Sequence, residues 1–482
     1  MVDLVATLTR WPTDLSAVPA GVSALEVRAD LVGDLAPEAL RFPGAVRYVL
    51  RSRAYGGRAD DPPRRRHARL IAAARRYDRV DLEADRDLVP AVLAGVPARQ
   101  RRICWHGRAL PLDDLRARFR AMAAVPAAAY LLAPEAPTVE DALVPLHLLA
   151  ELGRTDVTAY GTGPAGTWSR LLAPWFGTPV VTGPADGVAG GAGTVDGDGA
   201  LSVQRLWADY GFPAVTAPRA LCGMVGKAAP SFTRMLNRAC RAHGGEAWYL
   251  PFLVPAVAGF RTGFWPAVPD GLDALGMPVR GLTVSAPLKE AALAVADEAA
   301  PAAWASGAAN ALVRRRDRWR AETTDSTAVV AVLRRAGVRV GGRAVAVVGC
   351  GGAGRAAAVA LARRGADVTL VNRSEARGRL AGDLLGLRYA PLASFTPRGA
   401  AVVVHATPAA AEVPFPVHRL GRGAVVVDLV FTPGRTALVT AARRHGVLTI
   451  DGHAVLRAEA RQQFRLLTSQ REGVRHVSHS AP

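Results

Sequence analysis

Lysine is nearly missing from this chain. Of the 60 basic side chains in 482 residues, only Lys227 and Lys289 are lysine; the rest are arginine. Cysteine is scarce too. Cys104, Cys222, Cys240 and Cys350 lie far apart, which excludes a disulfide framework or a cysteine metal site and suits a reducing compartment. No apolar run reaches the roughly 18 residues of a membrane helix. The opening "MVDLVATLTRWPTD" has no basic segment followed by a hydrophobic one. The expectation is a cytoplasmic protein with no membrane partner. Half of the residues are hydrophobic, enough for more than one core, and the length fits two to three domains.

The formal net charge of +19 raises the question of nucleic acid. The basic residues, however, are spread along the whole chain. The densest run, "PPRRRHARLIAAARR" (62–76), sets Leu70, Ile71 and Ala74 on one side and reads as an amphipathic helix with a solvated face. The expected partner is a small anion met by arginines at strand ends, with no nucleic acid. Oligomeric state is not legible.

The first two hundred residues repeat one unit, a short β-rich run followed by an Ala/Leu/Arg-rich helical stretch. The runs begin near Asp3, Ala24, Val46, Arg79, Arg102, Ala127, Asp156 and Thr178. Eight such units predict an α/β fold, a (β/α)8 TIM barrel, over 1–212. Its strand ends carry Arg28, Asp30, Arg51, Glu83 and His106. Barrel rims are polar in any case; the alternation of Arg, Glu and His favours an anion site.

The second half contains "GGRAVAVVGCGGAGRAAAVALARRGADVTLVNRSEAR" (341–377). A buried strand runs into Gly349, Gly351, Gly352, Ala353 and Gly354, and an Ala-rich helix starts at once. Glycines there let a backbone approach a pyrophosphate, which sits on the helix N-terminus. That predicts a Rossmann unit. The next strand ends in Asn372-Arg373-Ser374, with Arg377 one turn on. An NAD site would place an acid here, whereas arginines suit a 2′-phosphate, so the expected cofactor is NADP(H). The alternative is two surface arginines in an arginine-rich chain.

Residues 217–469 resemble the shikimate dehydrogenases. "TVSAPLK" (283–289) is similar to their N-V-T-x-P-x-K loop, "GAAN" supplies Asn310, "TTDS" supplies Asp325, and "DGHAVLRAEARQQF" is similar to their closing helix. The first half resembles type I 3-dehydroquinate dehydratase, the preceding enzyme of the shikimate pathway. That likeness rests on Glu26, Arg28 and Asp30, on "LRSRAYGG" with Arg51, on Asp81 and Glu83, on His106, and on "WSRLLAPWFG" with Arg170. The two likenesses together imply a fused dehydratase–dehydrogenase. They imply a barrel over 1–212, a substrate lobe over 217–335 completed by 436–470, a Rossmann NADP lobe over 336–435, and a tail over 471–482.

The resemblance implies that Lys289 and Asp325 are catalytic. It assigns Ser231, Ser285, Asn310 and Gln463 to the substrate, and Thr407 and Gly452 to the cofactor. An ammonium can give a proton to the oxygen of 3-dehydroshikimate and take it back, once burial and neighbours bring its pKa within reach; an arginine cannot. That explains a lysine kept here. Lys227 has no assigned role.

Three departures stand out. The dehydratase family works through a lysine imine on the sixth barrel strand, yet this chain has about Ala129 there and no lysine before residue 227. The barrel site Glu26, Arg28, Arg51, Glu83, His106 and Arg170 is therefore expected to lack Schiff-base activity. In "VDGDGALSVQ" (195–204) the family's later Ser and Gln are replaced. In the dehydrogenase half, "GKAAPS" (226–231) replaces a S-x-S-P carboxylate loop, Glu459 stands for the first closing-helix Gln, Phe431 for a Tyr, and His405 opens an altered "HATPAAAE" loop. The alternatives are a chain with both activities, a quinate- or shikimate-like dehydrogenase of another pathway, and a non-catalytic NADPH- or shikimate-binding regulator.

Overall fold

The computed structural model describes residues 2–11, 15–185, 200–215, 217–227, 230–245 and 247–468. Residues 195–199 of the 195–204 loop and the whole 471–482 tail lie outside the described residues. No helix among those described is long and apolar enough to cross a membrane.

The eight β-rich runs form β1 (Asp3–Leu8), β2 (Val22–Arg28), β3 (Ala45–Val49), β4 (Arg79–Glu83), β5 (Arg101–Gly107), β6 (Ala129–Pro134), β7 (Val157–Ala159) and β8 (Val180–Pro184). All pair in parallel in chain order, and β8 returns to β1, giving a nearly closed α/β barrel. Alternate residues of each strand face inward, as a two-residue period requires. On β5 this turns Arg102, Cys104 and His106 to the interior; Cys104 clusters there with Leu131, Ala133 and Tyr160.

A second sheet comprises β9 (Ala220–Gly226), β10 (Ala247–Leu253), β11 (Val279–Val284), β12 (Glu298–Ala299), β13 (Ala311–Arg315) and β14 (Arg318–Glu322), in the order β10-β9-β11-β13-β14-β12. It is mixed: β13 runs antiparallel to both β11 and β14. Barrel and sheet share one apolar core. Trp168, fully buried, packs on Phe252 at 5.4 Å between ring centroids, and Trp175 meets Trp248 edge-on at 4.3 Å. Aromatic pairs of this kind contribute about 0.5–1.5 kcal/mol each beyond burial.

The third sheet comprises β15 (Ala344–Val348), β16 (Asp367–Asn372), β17 (Arg388–Pro391), β18 (Val402–His405), β19 (Val425–Asp428) and β20 (Leu448–Ile450). Its order, β17-β16-β15-β18-β19-β20, is all parallel and doubly wound. This corrects one expected boundary. The Rossmann lobe does not end at 435: β20 pairs with β19, and the Ala437–Arg444 helix packs on the same sheet. Only the Gly452–Thr468 helix returns toward the substrate lobe, where Ala460 and Leu467 join the β9–β10 core. The Asp325–Arg335 helix, expected in the substrate lobe, buries Ala328, Val329 and Val332 in the Rossmann core. A strand must complete its ladder, and that requirement sets the limit of the lobe.

Candidate active site

β11 ends at Val284, and the chain turns through Ser285 into a helix that Lys289 opens. Asp325 opens another helix after β14. The Lys289 Nζ donates to Asp325 Oδ2 at 2.5 Å, with the two side chains 15% and 9% exposed. Burial alone would lower the lysine pKa, but the charges of Asp325 and Glu459, with the hydrogen bond from Asp325, outweigh it and hold the pKa above its usual value. The expectation that surroundings would bring this pKa down is thus corrected, because two carboxylates face a single ammonium.

Glu459 lies on the Gly452–Thr468 helix, and its Oε1 accepts from Asn310 Nδ2 at 2.9 Å. Asn310 Nδ2 also reaches Thr324 Oγ1 at 3.0 Å, while its Oδ1 accepts from the Thr324 backbone N–H at 2.7 Å. Gln463, one turn beyond Glu459, accepts from Thr283 Oγ1 at 3.0 Å and donates to Thr324 Oγ1 and the Asn310 carbonyl. Gln463 is 0% exposed and Asn310 is 1% exposed, and their polar atoms are already engaged. Asn310 and Gln463 thus form one hydrogen-bonded network with Thr283, Thr324 and Glu459 beside the Lys289–Asp325 pair. Ser285 Oγ accepts from the Lys227 backbone N–H at 3.0 Å. Ser231 sits, half-buried, in the first turn of the Pro230–Ala242 helix.

On the Rossmann side, Gly349 has φ +114, and a Cβ there would meet the Ala406 carbonyl at 2.8 Å. A Cβ on Gly354 would lie 1.9 Å from the Gly349 carbonyl oxygen. Gly351 opens on empty space, and the Gly352–Ala362 helix begins beside it with Gly352 and Ala353 in its first turn. This cradle fits a pyrophosphate: bare backbone and free helix N–H groups. Gly352 packs directly on Lys289, and a Cβ there would sit 3.2 Å from the lysine Cβ and Cδ. The glycine loop therefore brings a cofactor and the lysine to one place. Asn372 Oδ1 accepts from the Cys350 backbone N–H, and Arg373 and Arg377 are exposed, without a carboxylate partner among the described residues. Gly452 abuts the Val430 carbonyl, where a Cβ would come within 2.0 Å.

Sequence reasoning missed two supports here. Arg355 donates to Ser306 and Gly307 carbonyls across the cleft and to Glu290, next to Lys289. His405 is fully buried, its Nδ1 3.0 Å from Asp428 Oδ1 and its Nε2 2.5 Å from Thr407 Oγ1. A carboxylate can only accept, so Nδ1–H donates to Asp428 and Nε2 accepts a hydrogen bond from the Thr407 hydroxyl. Thr407 in turn lies against Gly349. The arginine in the helix's first turn and the histidine at a strand end were legible as types, but not their partners.

In the barrel, Arg102 Nη2 donates to Glu26 Oε2 and Asp81 Oδ2, both at 2.6 Å, and its Nε to Asp81 at 2.8 Å. Burial works against ionisation of Glu26, but Arg102 with Arg51 and Arg47 outweighs it and holds the carboxyl down at about 2. Glu83 accepts from Ser52 and pairs with Arg66; Arg28 forks onto Asp30; Arg170 lies over the Tyr160 ring. Burial, then the charges of Arg51, Arg102, Arg28 and Arg170, push the His106 pKa well below its usual value. Glu26, Arg28, Arg51, Glu83, His106 and Arg170 do gather in the barrel, but Glu26 and Glu83 are spent on neighbours. Ala129 sits beside Arg102 in the β5–β6 register. Arg102 is the residue that sequence reasoning missed; the alternation through His106 marks it as inward.

Comparison with known proteins bears on both halves. A shikimate dehydrogenase (NADP(+)) of Symbiobacterium thermophilum is 35% identical over 265 residues, 50% of this chain and 85% of that protein. This chain belongs to the shikimate dehydrogenase family. Residues 4–203 match the type I 3-dehydroquinase family, so a dehydroquinase barrel precedes the dehydrogenase half. The chloroplastic bifunctional 3-dehydroquinate dehydratase/shikimate dehydrogenase of Arabidopsis thaliana is 26% identical over 332 residues, 64% of this chain and 52% of that one. A structure of dehydroquinate dehydratase and shikimate dehydrogenase from S. pombe AroM covers 97% of this chain and 96% of its own at 19% identity, with a TM-score of 0.41.

Proposed function

We propose that the chain is an NADP-dependent shikimate dehydrogenase, reducing 3-dehydroshikimate to shikimate, fused to a dehydroquinase barrel without imine chemistry. The observation that carries the first part is the Lys289–Asp325 pair packed against the Gly352 loop. The reduced cofactor supplies the hydride for the carbonyl carbon. Lys289 gives the proton to the carbonyl oxygen, and Asp325 holds the ammonium in place. A raised pKa keeps Lys289 protonated at neutral pH, which suits reduction. Arg373 and Arg377 supply positive charge for a 2′-phosphate.

In the barrel, an imine needs an amine that can lose its proton. With no lysine in the first 226 residues, the cation beside Ala129 is Arg102, which stays charged between Glu26 and Asp81. The arginines around His106 still offer an anion a positive field.

The test is NADPH consumption by the purified full chain with 3-dehydroshikimate, with Lys289→Ala as control. Turnover lost in the variant supports the assignment; turnover that survives it overturns the role of Lys289. A second reading, a dehydrogenase for a related ring acid such as quinate, is favoured by Glu459, an acid hydrogen-bonded to Asn310 and close enough to Lys289 and Asp325 to feel their charges. Comparing NADPH- or NADP-dependent rates across such acids separates the two.

A further inference from the structure

The barrel half ends in two helical turns, Val203–Arg205 and Leu206–Tyr210, that pack on the Pro230–Ala242 helix of the dehydrogenase half. Asp209, 1% exposed, lies at this contact and serves two guanidiniums. Arg234 Nε donates to its Oδ1 at 2.7 Å, and Arg205 Nε to its Oδ2 at 3.2 Å. A third, Arg241, donates to the Asp209 and Ala208 carbonyls. One carboxylate thus stands among three cations, and the local balance is positive. Arg205 Nη1 is buried and meets no hydrogen-bond partner among the described residues. The hydroxyl of Tyr210, itself 1% exposed, is buried and unpartnered in the same way. Burial pushes the Tyr210 phenol well above its usual pKa, with the Arg205 charge opposing, so it stays a donor.

Arg205 and Tyr210 line one cavity of about 40 Å³, whose other walls include Leu201, Gly226, Lys227 and Phe252, and no acidic side chain. Buried donors without an acceptor are costly, so a pocket that gathers two of them beside a lysine is built for an anion. Its size decides how much of a ligand enters. At roughly 10–15 Å³ for one water-sized sphere, there is room for a carboxylate group but not for a ring. The cavity also adjoins the reacting centre. A Cβ on Gly226 would collide with Ser285 Oγ and touch Leu288 Cδ1 at 3.6 Å, and Leu288 directly precedes Lys289. The Lys227 backbone N–H donates to the same Ser285 Oγ.

We propose that the two halves of the chain build one carboxylate site, in which Arg205 and Tyr210 of the barrel half, with Lys227 of the dehydrogenase half, hold the carboxylate of the ring acid whose carbonyl meets Lys289. The proposal rests on the dehydrogenase reading. Arg205 keeps its Nε on Asp209 and offers Nη1 to the ligand, so the ion pair with Asp209 positions the donor. The barrel then serves the reduction as a source of specificity-determining residues, although it has no amine for an imine. The second of the chain's two lysines acquires a role as well.

The experiment is NADP-dependent oxidation of shikimate and of its uncharged methyl ester by the full chain, on wild type, Arg205→Ala, Arg205→Lys and Tyr210→Phe. Wild type is expected to prefer the acid in kcat/KM by about tenfold or more, the worth of one charge-assisted contact. Arg205→Ala is expected to raise KM for the acid by about that factor, with kcat nearly unchanged and KM for the ester unmoved, so that the preference collapses. Arg205→Lys should recover part of it. Tyr210→Phe, which removes one hydroxyl and leaves the Asp209 ion pair intact, should lower it several-fold. A preference that survives in Arg205→Ala overturns the proposal, as does a loss in that variant that is equal for acid and ester, which marks a structural role alone. Should Arg205→Ala fail to fold, an unchanged preference in Tyr210→Phe overturns it. A wild type that treats acid and ester alike overturns it too, and all of these outcomes leave the dehydrogenase reading standing. A wild type that oxidises neither compound overturns both.

Discussion

Lys289 and Asp325 are each the first residue of a helix, and they meet across 36 positions of sequence at 2.5 Å. The two ends differ in electrostatic sense. An aspartate at a helix start faces the positive end of the backbone dipole, which favours its charge, whereas a lysine there is disfavoured by a few tenths of a kcal/mol. The lysine is held in place by the carboxylates and the glycine loop, not by its own helix.

Lys289→Arg is expected to be as inactive as Lys289→Ala. Arginine keeps the charge but cannot give up its proton, and general acid catalysis is worth roughly 10²–10⁴ in rate. Steady-state NADPH consumption by both variants is the measurement; an arginine variant within a few-fold of wild type would remove the proton donor from this account.

Asp325→Asn is expected to move the alkaline limb of the reduction to lower pH. The Asp325 charge raises the Lys289 pKa, so removing it lets burial pull that pKa down, and the protonated lysine needed for reduction is lost earlier. A pH profile of kcat shows it. A limb that stays put would assign that titration elsewhere.

Arg102→Met is expected to destabilise the protein by about 3–5 kcal/mol at pH 7, since Glu26 and Asp81 would be left buried without their cation. The pH dependence has a definite sign. The Glu26 pKa is depressed from 4.5 to about 2. Its contribution, of order 3 kcal/mol for a shift of that size, is therefore present above pH 4.5 and lost as pH falls toward 2. Urea midpoints from pH 7 to pH 3 should fall steeply in wild type and less steeply in the variant.

The barrel is expected neither to dehydrate dehydroquinate nor to be trapped on it by borohydride. Mass spectrometry after borohydride treatment with dehydroquinate checks this, with Ala129→Lys alongside. A wild-type adduct would place an imine on Lys227 or Lys289, the only amines besides the N-terminus.

Replacing Arg377 by alanine is expected to reduce the preference for NADPH over NADH by about tenfold, one charge-assisted contact to a phosphate being worth roughly 1.5 kcal/mol. The ratio of kcat/KM for the two cofactors measures it. An unchanged ratio would mean that this arginine is one more exposed cation.

The sequence by itself determined what depends on neighbours along the chain. Strand and helix periods located all eight barrel strands. A run of glycines between a buried strand and an Ala-rich helix marked the cofactor loop, because only residues without a Cβ allow Gly354 to approach Gly349 so closely. The shortage of lysine singled out Lys289. What only the tertiary structure decided is which group stands opposite which. Glu459 meets Asn310 across 149 residues, and Arg102 meets Glu26 across 76. Gln463 is fully buried, held by Thr283 and Thr324, and β20 joined the Rossmann sheet. Period and propensity describe one element at a time. Burial, pairing and the pKa of an acid depend on the elements folded against it, and those contacts exist only once the chain has closed on itself.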